Sequence, residues 1–198
     1  MFVIGLTGGI GSGKTFISGI FSSSESFVIF NSDLFAKQIL VDNNEVIDFV
    51  KKKIGNRSYK GRLIQSKYIS DVIFNDKRKL NELNKIIHPK VIEEFENFKS
   101  KNSNKIIIIE SAILFETGIY LQTNYTILVK APVKERINRV IIRDKVSKAD
   151  VLKKINSQWE DSKKMDLADF VINNIDKLET ENIVKQLIID LISIYEKN

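Results

Sequence analysis

The chain of 198 residues is 43% hydrophobic and 28% charged, which predicts a globular protein with one substantial core and room for a small subdomain. It contains no cysteine and one histidine, so disulfides and cysteine-ligated metals are excluded and zinc is disfavoured. No segment is long and apolar enough to predict a membrane span, and the start lacks a basic leader, so we expect a cytoplasmic protein without a membrane partner.

The positive charge is spread along the chain. A net charge of +6 raises the possibility of nucleic-acid binding, but the 31 basic residues form no single block, so a solvated surface is favoured and no nucleic-acid partner is expected. Arginine is rare, and three arginines lie close together at Arg136, Arg139 and Arg143. Because a guanidinium binds phosphate through paired donors, this clustering favours a phosphate-binding role.

The first element is an apolar run at residues 2–6, followed by a glycine-rich segment. Residues 8–15 read GGIGSGKT and fill every fixed position of the phosphate-loop pattern G-x-x-x-x-G-K-[ST]. Glycines let successive backbone N–H groups converge on phosphate oxygens, a lysine reaches the β and γ phosphates, and a threonine hydroxyl binds Mg²⁺. The predicted nucleotide-binding residues are Gly8, Gly9, Ile10, Gly11, Ser12, Gly13, Lys14 and Thr15.

The later apolar runs predict the rest of a sheet. Runs at residues 27–30, 105–109, 125–129 and 170–172 are separated by stretches of helical periodicity. The pattern predicts an α/β protein of the P-loop NTPase fold, with a five-stranded parallel sheet flanked by helices.

Two stretches are too long for simple crossovers, and they predict the domain organisation. Residues 31–104 have helical periodicity and predict an inserted helical subdomain, while the charged residues 134–166 could form a mobile cover. The nucleotide-binding core is then residues 1–30, 105–133 and 167–198, and the run at 183–194 predicts a closing helix.

Several acids and arginines allow two interpretations each. Asp33, after the second predicted strand, is either a base for an acceptor hydroxyl or a helix N-cap. The three clustered arginines share one helical face, which either points inward to neutralise developing charge or is a solvated face. Glu110 could hold a Mg²⁺-bound water, and both it and Glu116 could be solvated loop acids. The pair His88-Pro89 predicts the end of a helix after Ile87.

Taken together, these residues resemble the dephospho-coenzyme A kinase family, which uses ATP to phosphorylate the ribose 3′-hydroxyl of dephospho-CoA. The resemblance covers nearly the whole chain. It is carried by residues 4–15, Asp33, Gly61, Leu63, Phe74, Leu83, His88, Pro89, residues 110–116, Arg139, Arg143, Asp144, Gln158, Lys164, residues 168–172 and Asn174.

The resemblance implies a site made of four groups of residues, with ATP, Mg²⁺ and dephospho-CoA as ligands. We expect a monomer, and an oligomer stays open. Asp33 is the implied base, and Lys14 and Arg143 stabilise the phosphates. Arg139 and Asn174 join the phosphate loop in binding the nucleotide. The implied acceptor-binding residues are Asp33, Lys67, His88 and Glu116, and the implied metal-binding residues are Thr15 and Glu110.

The chain departs from the family pattern at a few positions. Asn31 replaces the first acid of the family's Asp-x-Asp, and Ser66 stands where an arginine is usual, with Lys67 beside it. From the residues alone, two other functions stay open. One is a kinase of another small acceptor, such as a nucleoside monophosphate, and the other is a nucleotide-dependent switch with no small-molecule acceptor.

Overall fold

The computed structural model describes residues 1–197 and divides into two compact units. The first unit contains Met1–Asn31 and the chain from Lys99 onward, and the second is Ser32–Phe98. Each unit is described by itself below.

The first unit is built on a parallel sheet. Its strands are β1 (Phe2–Thr7), β2 (Phe27–Asn31), β5 (Ile106–Ser111), β6 (Tyr125–Lys130) and β7 (Phe170–Asn173), in the order β2-β5-β1-β6-β7 with every neighbouring pair parallel. The central strands β1 and β5 are buried along their whole length, because helices cover both faces of a parallel sheet. The edge strand β7 is partly exposed.

The helices of the first unit pack around this sheet. They are α1 (Lys14–Phe21), α6 (Val133–Asp144), α7 (Lys148–Asn156), α8 (Asp161–Met165) and α9 (Lys177–Glu196), with a 3₁₀ turn at Ile119–Gln122. The main core joins β1, β2, β5, β6 and β7 to α1 and α9 through residues such as Ile17, Phe21 and Leu191. A second, smaller core lies where α6 meets α7, around Ile137, Val140 and Val151.

The second unit is mainly helical. It contains α2 (Ser32–Asp42), α3 (Asn44–Lys53), α4 (Ser66–Asn75) and most of α5 (Lys77–Lys101), with a 3₁₀ turn at Asn56–Ser58. A short antiparallel hairpin, β3 (Tyr59–Lys60) and β4 (Leu63–Ile64), was not predicted, because two-residue strands show no periodicity. Its turn begins at Gly61, whose φ of 63° favours glycine.

The predicted helix break at His88-Pro89 is wrong. α5 continues through Pro89 and buries Leu83, Ile87, Val91 and Phe95 along one stripe at four-residue spacing. A proline inside a helix costs about 3 kcal/mol. Burial of one such side chain contributes about 1.5–3 kcal/mol, so the stripe on both sides of the proline outweighs the local penalty.

The structure confirms the predicted α/β class, a five-stranded parallel sheet flanked by helices. The last helix, α9, contains the predicted closing segment. Among residues 1–197, no helix combines the length and apolar character needed to cross a bilayer.

Candidate active site

The phosphate loop connects β1 to α1 and leaves no room for a side chain at any of its four glycines, as Gly8 and Gly13 illustrate. Gly8 has a φ of 150°, and a Cβ there would collide with the backbone oxygen of Val129. Gly13 has a φ of 101°, and a Cβ there would collide with the Asn174 amide. Other L-residues rarely adopt these conformations, so the glycine pattern of the sequence follows from the closeness of the surrounding backbone and side chains.

Lys14 is held inside the loop that it follows. Its Nζ donates a hydrogen bond of 2.8 Å to the carbonyl oxygen of Gly8, and the residue is 8% exposed. Lys14 is also the first residue of α1, whose N–H groups and dipole favour an anion at this end. The loop therefore combines a buried ammonium with a helix N-terminus, which suits a polyphosphate.

Glu110 lies beside the start of α1 and is 3% exposed, so its interpretation as a solvated acid is wrong. One carboxylate oxygen accepts a 2.9 Å hydrogen bond from the Thr15 hydroxyl, and the other accepts a 2.8 Å bond from the Ser18 hydroxyl. The carboxylate comes from β5, which pairs with β1 in register. The carboxyl ends of adjacent parallel strands thus bring the acid to the end of the phosphate loop.

The donor set at Thr15 and Glu110 fits Mg²⁺. Mg²⁺ prefers oxygen ligands and is commonly held by one or two carboxylates, with waters and substrate phosphates completing the shell. Within residues 1–197, no group of three or more His, Cys, Asp or Glu side chains is arranged as a metal site.

Arg136 faces the phosphate loop from α6. It is 4% exposed, its Nε donates a 3.0 Å hydrogen bond to the Ile10 carbonyl, and its Nη1 pairs with Asp161 at 3.3 Å. Burial lowers the pKa of Arg136, and the Asp161 carboxylate offsets part of that change. A cavity of about 660 Å³ lies beside it, lined in part by Gln158 and Trp159.

Arg139 and Asn174 meet the other side of the loop. The Asn174 amide donates a 2.7 Å bond to the Ser12 carbonyl, and Arg139 contacts the same carbonyl at 3.4 Å. Arg139 also donates to the Asn174 carbonyl at 3.1 Å. The buried Thr180 hydroxyl donates a 2.6 Å hydrogen bond to the Asp176 carbonyl and lies 3.3 Å from the Asn174 side-chain oxygen.

Arg143 is oriented differently from the other two arginines. Its side chain is 61% exposed and forms a bidentate pair with Asp144, at 2.6 and 2.9 Å. This hydrogen bonding raises the pKa of Arg143. Arg136 and Arg139 therefore point toward the loop, while Arg143, near the end of α6, is turned toward its own neighbour.

Glu116 is part of a buried ion pair, so it is not a solvated acid either. Its Oε1 pairs with Lys164 Nζ at 2.9 Å and accepts a 2.8 Å hydrogen bond from the Trp159 backbone N–H. Lys164 is fully buried and also donates to the Ala112 carbonyl at 3.1 Å. Among the residues that the structure describes, the second oxygen of Glu116 is buried without a hydrogen-bond partner.

Three predicted site residues belong to the second unit. Asp33 is half-buried in the first turn of α2, which begins at Ser32, so Asp33 is not the N-cap. His88 is half-buried inside α5, and burial lowers its pKa. Lys67 is exposed at the second position of α4.

No specific role was predicted for Arg136, Gln158 or Lys164 by itself. Arg136 and Gln158 contact the loop, and Lys164 pairs with Glu116. The signal for Arg136 was its spacing from Arg139 on one helical face. The only signal for Gln158 and Lys164 was that both match the family pattern. Gln158 accepts a 3.0 Å hydrogen bond from the Ile10 N–H across 148 positions of sequence, a distance that local patterns do not encode.

A parallel sheet with a buried lysine in a phosphate loop, an acid on the neighbouring strand and two arginines facing the loop defines a P-loop kinase. A family model described as dephospho-CoA kinase matches residues 2–180, and the chain belongs to this family.

Comparisons with single proteins agree with the family match. The chain is 35% identical over 180 residues to the dephospho-CoA kinase of Fusobacterium nucleatum, which covers 90% of this chain and 92% of that one. The crystal structure of TT1252 from Thermus thermophilus superimposes with a TM-score of 0.81 at 27% identity, covering 96% and 97% of the two chains. The dephospho-CoA kinase from Campylobacter jejuni shares the fold, with a TM-score of 0.69 at 23% identity over 96% of each chain.

Family membership decides among the functions that the residues alone left open. The chain is a kinase, the family implies ATP as the co-substrate, and its reaction is the final step of CoA biosynthesis.

Proposed function

We propose that this enzyme, with Mg²⁺, transfers the γ-phosphoryl group of ATP to the ribose 3′-hydroxyl of dephospho-CoA, giving CoA and ADP. The observation that best supports this chemistry is the buried Glu110 carboxylate bonded to the Thr15 hydroxyl, directly after Lys14 in the phosphate loop. This arrangement suits a nucleoside triphosphate bound with a divalent cation.

The nucleotide side of the site is formed by the loop and its neighbours. The backbone N–H groups of residues 8–15 and the Lys14 ammonium would bind the phosphates, and Lys14 would exchange its bond to the Gly8 carbonyl for phosphate oxygens. Arg139 and Asn174 would hold the loop in place and bind the nucleotide. Thr15 and Glu110 would hold Mg²⁺, which neutralises charge on the β and γ phosphates when bound.

The acceptor side rests on Asp33, which follows the carboxyl end of β2 by two residues. Asp33 would accept the proton of the 3′-hydroxyl as that oxygen attacks the γ phosphorus and ADP leaves. Lys67, His88 and Glu116 would contact dephospho-CoA. In the same proposal, residues 31–104 form the substrate domain and residues 1–30, 105–133 and 167–198 the nucleotide-binding core.

Residues 134–166 would act as a lid that brings Arg143 to the transferred phosphoryl group. Arg143 extends from α6, the same helix that contacts the loop through Arg136 and Arg139. Its present partner is exposed, and exposed ion pairs contribute only about 0–1 kcal/mol, so little energy opposes its release from Asp144.

An acceptor panel tests the reaction. ADP release from ATP is measured with dephospho-CoA, with nucleoside monophosphates and without an acceptor. We expect release only with dephospho-CoA. Equal release without an acceptor supports a nucleotide-dependent switch, and release with a monophosphate alone supports a different kinase.

Asp33→Asn tests the proposed base. We expect turnover to fall by at least about a hundredfold, because general base catalysis contributes about 10²–10⁴, while ATP affinity stays near that of the wild type. Asp42→Asn is the matched control, since Asp42 is exposed at the other end of the same helix. Normal turnover in Asp33→Asn removes this residue from the mechanism.

We also propose that the enzyme works as a cytoplasmic monomer without a nucleic-acid partner. The even spread of its basic residues supports the absence of a nucleic-acid partner. Light scattering tests the mass in solution, cell fractionation tests the location, and a salt-dependent mobility shift tests nucleic-acid binding.

A further inference from the structure

We propose that Gln158 is a positioning residue that holds the tip of the phosphate loop at Ile10, and that the buried Glu116–Lys164 pair keeps Gln158 in place. The inference rests on the proposed function, because its kinetic effect is on ATP use. Gln158 itself contacts the loop backbone.

The backbone N–H and carbonyl of Ile10 are both bonded to residues of the 134–166 segment. Its N–H donates to Gln158 Oε1 at 3.0 Å, and its carbonyl accepts from Arg136 Nε at 3.0 Å. The Ile10 side chain packs against the small core of Ile137, Val140 and Val151. Because Ile10 lies between two glycines, the local backbone has unusual freedom, and these outside contacts restrict it.

The backbone next to Gln158 is fixed by Glu116. Gln158 follows the end of α7, and its own N–H donates a 3.1 Å hydrogen bond to the Ile155 carbonyl. The following N–H, that of Trp159, donates to Glu116 Oε1 at 2.8 Å, and the same oxygen pairs with Lys164 at 2.9 Å. Lys164 is fully buried, so water cannot take its place as the partner of the Glu116 carboxylate unless the surrounding residues move.

These contacts form one connected path from the turn after β5 to the tip of the phosphate loop. Glu116 holds Trp159, and the adjacent Gln158 holds Ile10. The N–H groups of the loop bind phosphates only when the backbone is correctly placed, and small displacements in a phosphoryl-transfer site reduce rates strongly. Loss of one supporting hydrogen bond is therefore expected to reduce the use of ATP.

The first test is Gln158→Ala, with Gln186→Ala as the matched control because Gln186 is an exposed glutamine on α9. We expect kcat/KM for ATP to fall about five- to tenfold in Gln158→Ala, as for a typical lost hydrogen bond. We expect the KM for dephospho-CoA to change less than twofold. A kcat/KM for ATP within twofold of the wild type overturns the proposal.

Amide hydrogen exchange gives a readout that does not depend on activity. NMR measurement of the Ile10 N–H in the nucleotide-free enzyme should show faster exchange in Gln158→Ala, while the Val3 N–H, which donates to Asn124, stays unchanged. Unchanged Ile10 exchange overturns the proposal. A wild-type enzyme that releases no ADP with dephospho-CoA would instead contradict the proposed function and leave the exchange result valid.

Two double variants test the role of Glu116 without leaving an unpaired buried charge. Glu116→Gln with Lys164→Met keeps a side-chain oxygen for the Trp159 N–H, and Glu116→Leu with Lys164→Met removes it. We expect faster Ile10 exchange in the Leu variant than in the Gln variant. Equal exchange in the two variants shows that Glu116 does not act through Trp159.

Discussion

The buried Glu116–Lys164 pair gives a quantitative prediction about stability. The two charges lie 2.9 Å apart, and the Lys164 side chain is 0% exposed while that of Glu116 is 14% exposed. With an effective dielectric constant near 20, two unit charges at this distance attract by roughly 6 kcal/mol, most of which offsets their desolvation. Lys164→Met leaves the carboxylate buried with only the Trp159 N–H as a donor.

We therefore expect Lys164→Met to lower the free energy of unfolding by about 3–5 kcal/mol, as for other broken buried pairs. For a protein of this size, that change corresponds to a decrease in Tm of roughly 6–20 °C. The double variant Glu116→Leu/Lys164→Met should recover most of the loss, because no charge is then left buried.

Urea unfolding followed by circular dichroism measures both variants. Lys185→Met is the control, since Lys185 forms an exposed pair with Glu181 at 2.7 Å and its loss should cost less than about 1 kcal/mol. If Lys164→Met is no less stable than Lys185→Met, the inferred energetic importance of burial at this pair is wrong.

Three further predictions concern the loop, the metal and the single histidine. Gly9→Ala should weaken ATP binding about tenfold or more, because its Cβ would collide with the Arg136 guanidinium. Glu110→Gln should raise the Mg²⁺ concentration for half-maximal activity about tenfold, since it removes the charge beside Thr15. The free energy of unfolding should fall as pH decreases below the ordinary histidine value of 6.5, because burial lowers the pKa of His88 and the unfolded chain takes up the proton first.

Each of these predictions has a matched control. Gly19→Ala should leave ATP binding unchanged, because a Cβ at Gly19 meets nothing within 4 Å, and loss of ATP binding in both glycine variants would point to a general effect on α1. Glu179→Gln, an exposed acid on α9, should not change the Mg²⁺ requirement. His88→Gln should reduce the change of the free energy of unfolding with pH between pH 6.5 and the lowered pKa of His88. If this pH dependence is unchanged, it comes from other groups.

The sequence by itself determined the phosphate loop and the class of the sheet. The loop depends on residues that are contiguous in the chain, because glycines, a lysine and a threonine at fixed spacing shape their own backbone. The central strands could also be predicted from the sequence. Phe2–Thr7 and Ile106–Ser111 are buried on both faces, so their sequences contain continuous apolar runs.

Other features depended on tertiary packing. Local chemistry predicted that α5 would end at His88-Pro89, yet burial on both sides of the proline keeps the helix intact. A helical spacing of three and four residues could not distinguish Arg136, which faces the loop, from Arg143, which faces Asp144.

The environments of the acids were likewise decided by the fold. Glu110 meets Thr15 across 95 positions, and Glu116 meets the Trp159 N–H across 43. A glutamate has the same local pattern whether water or a buried lysine surrounds it. Only the packing of distant segments fixes its burial and its partners, and these determine what the carboxylate can do.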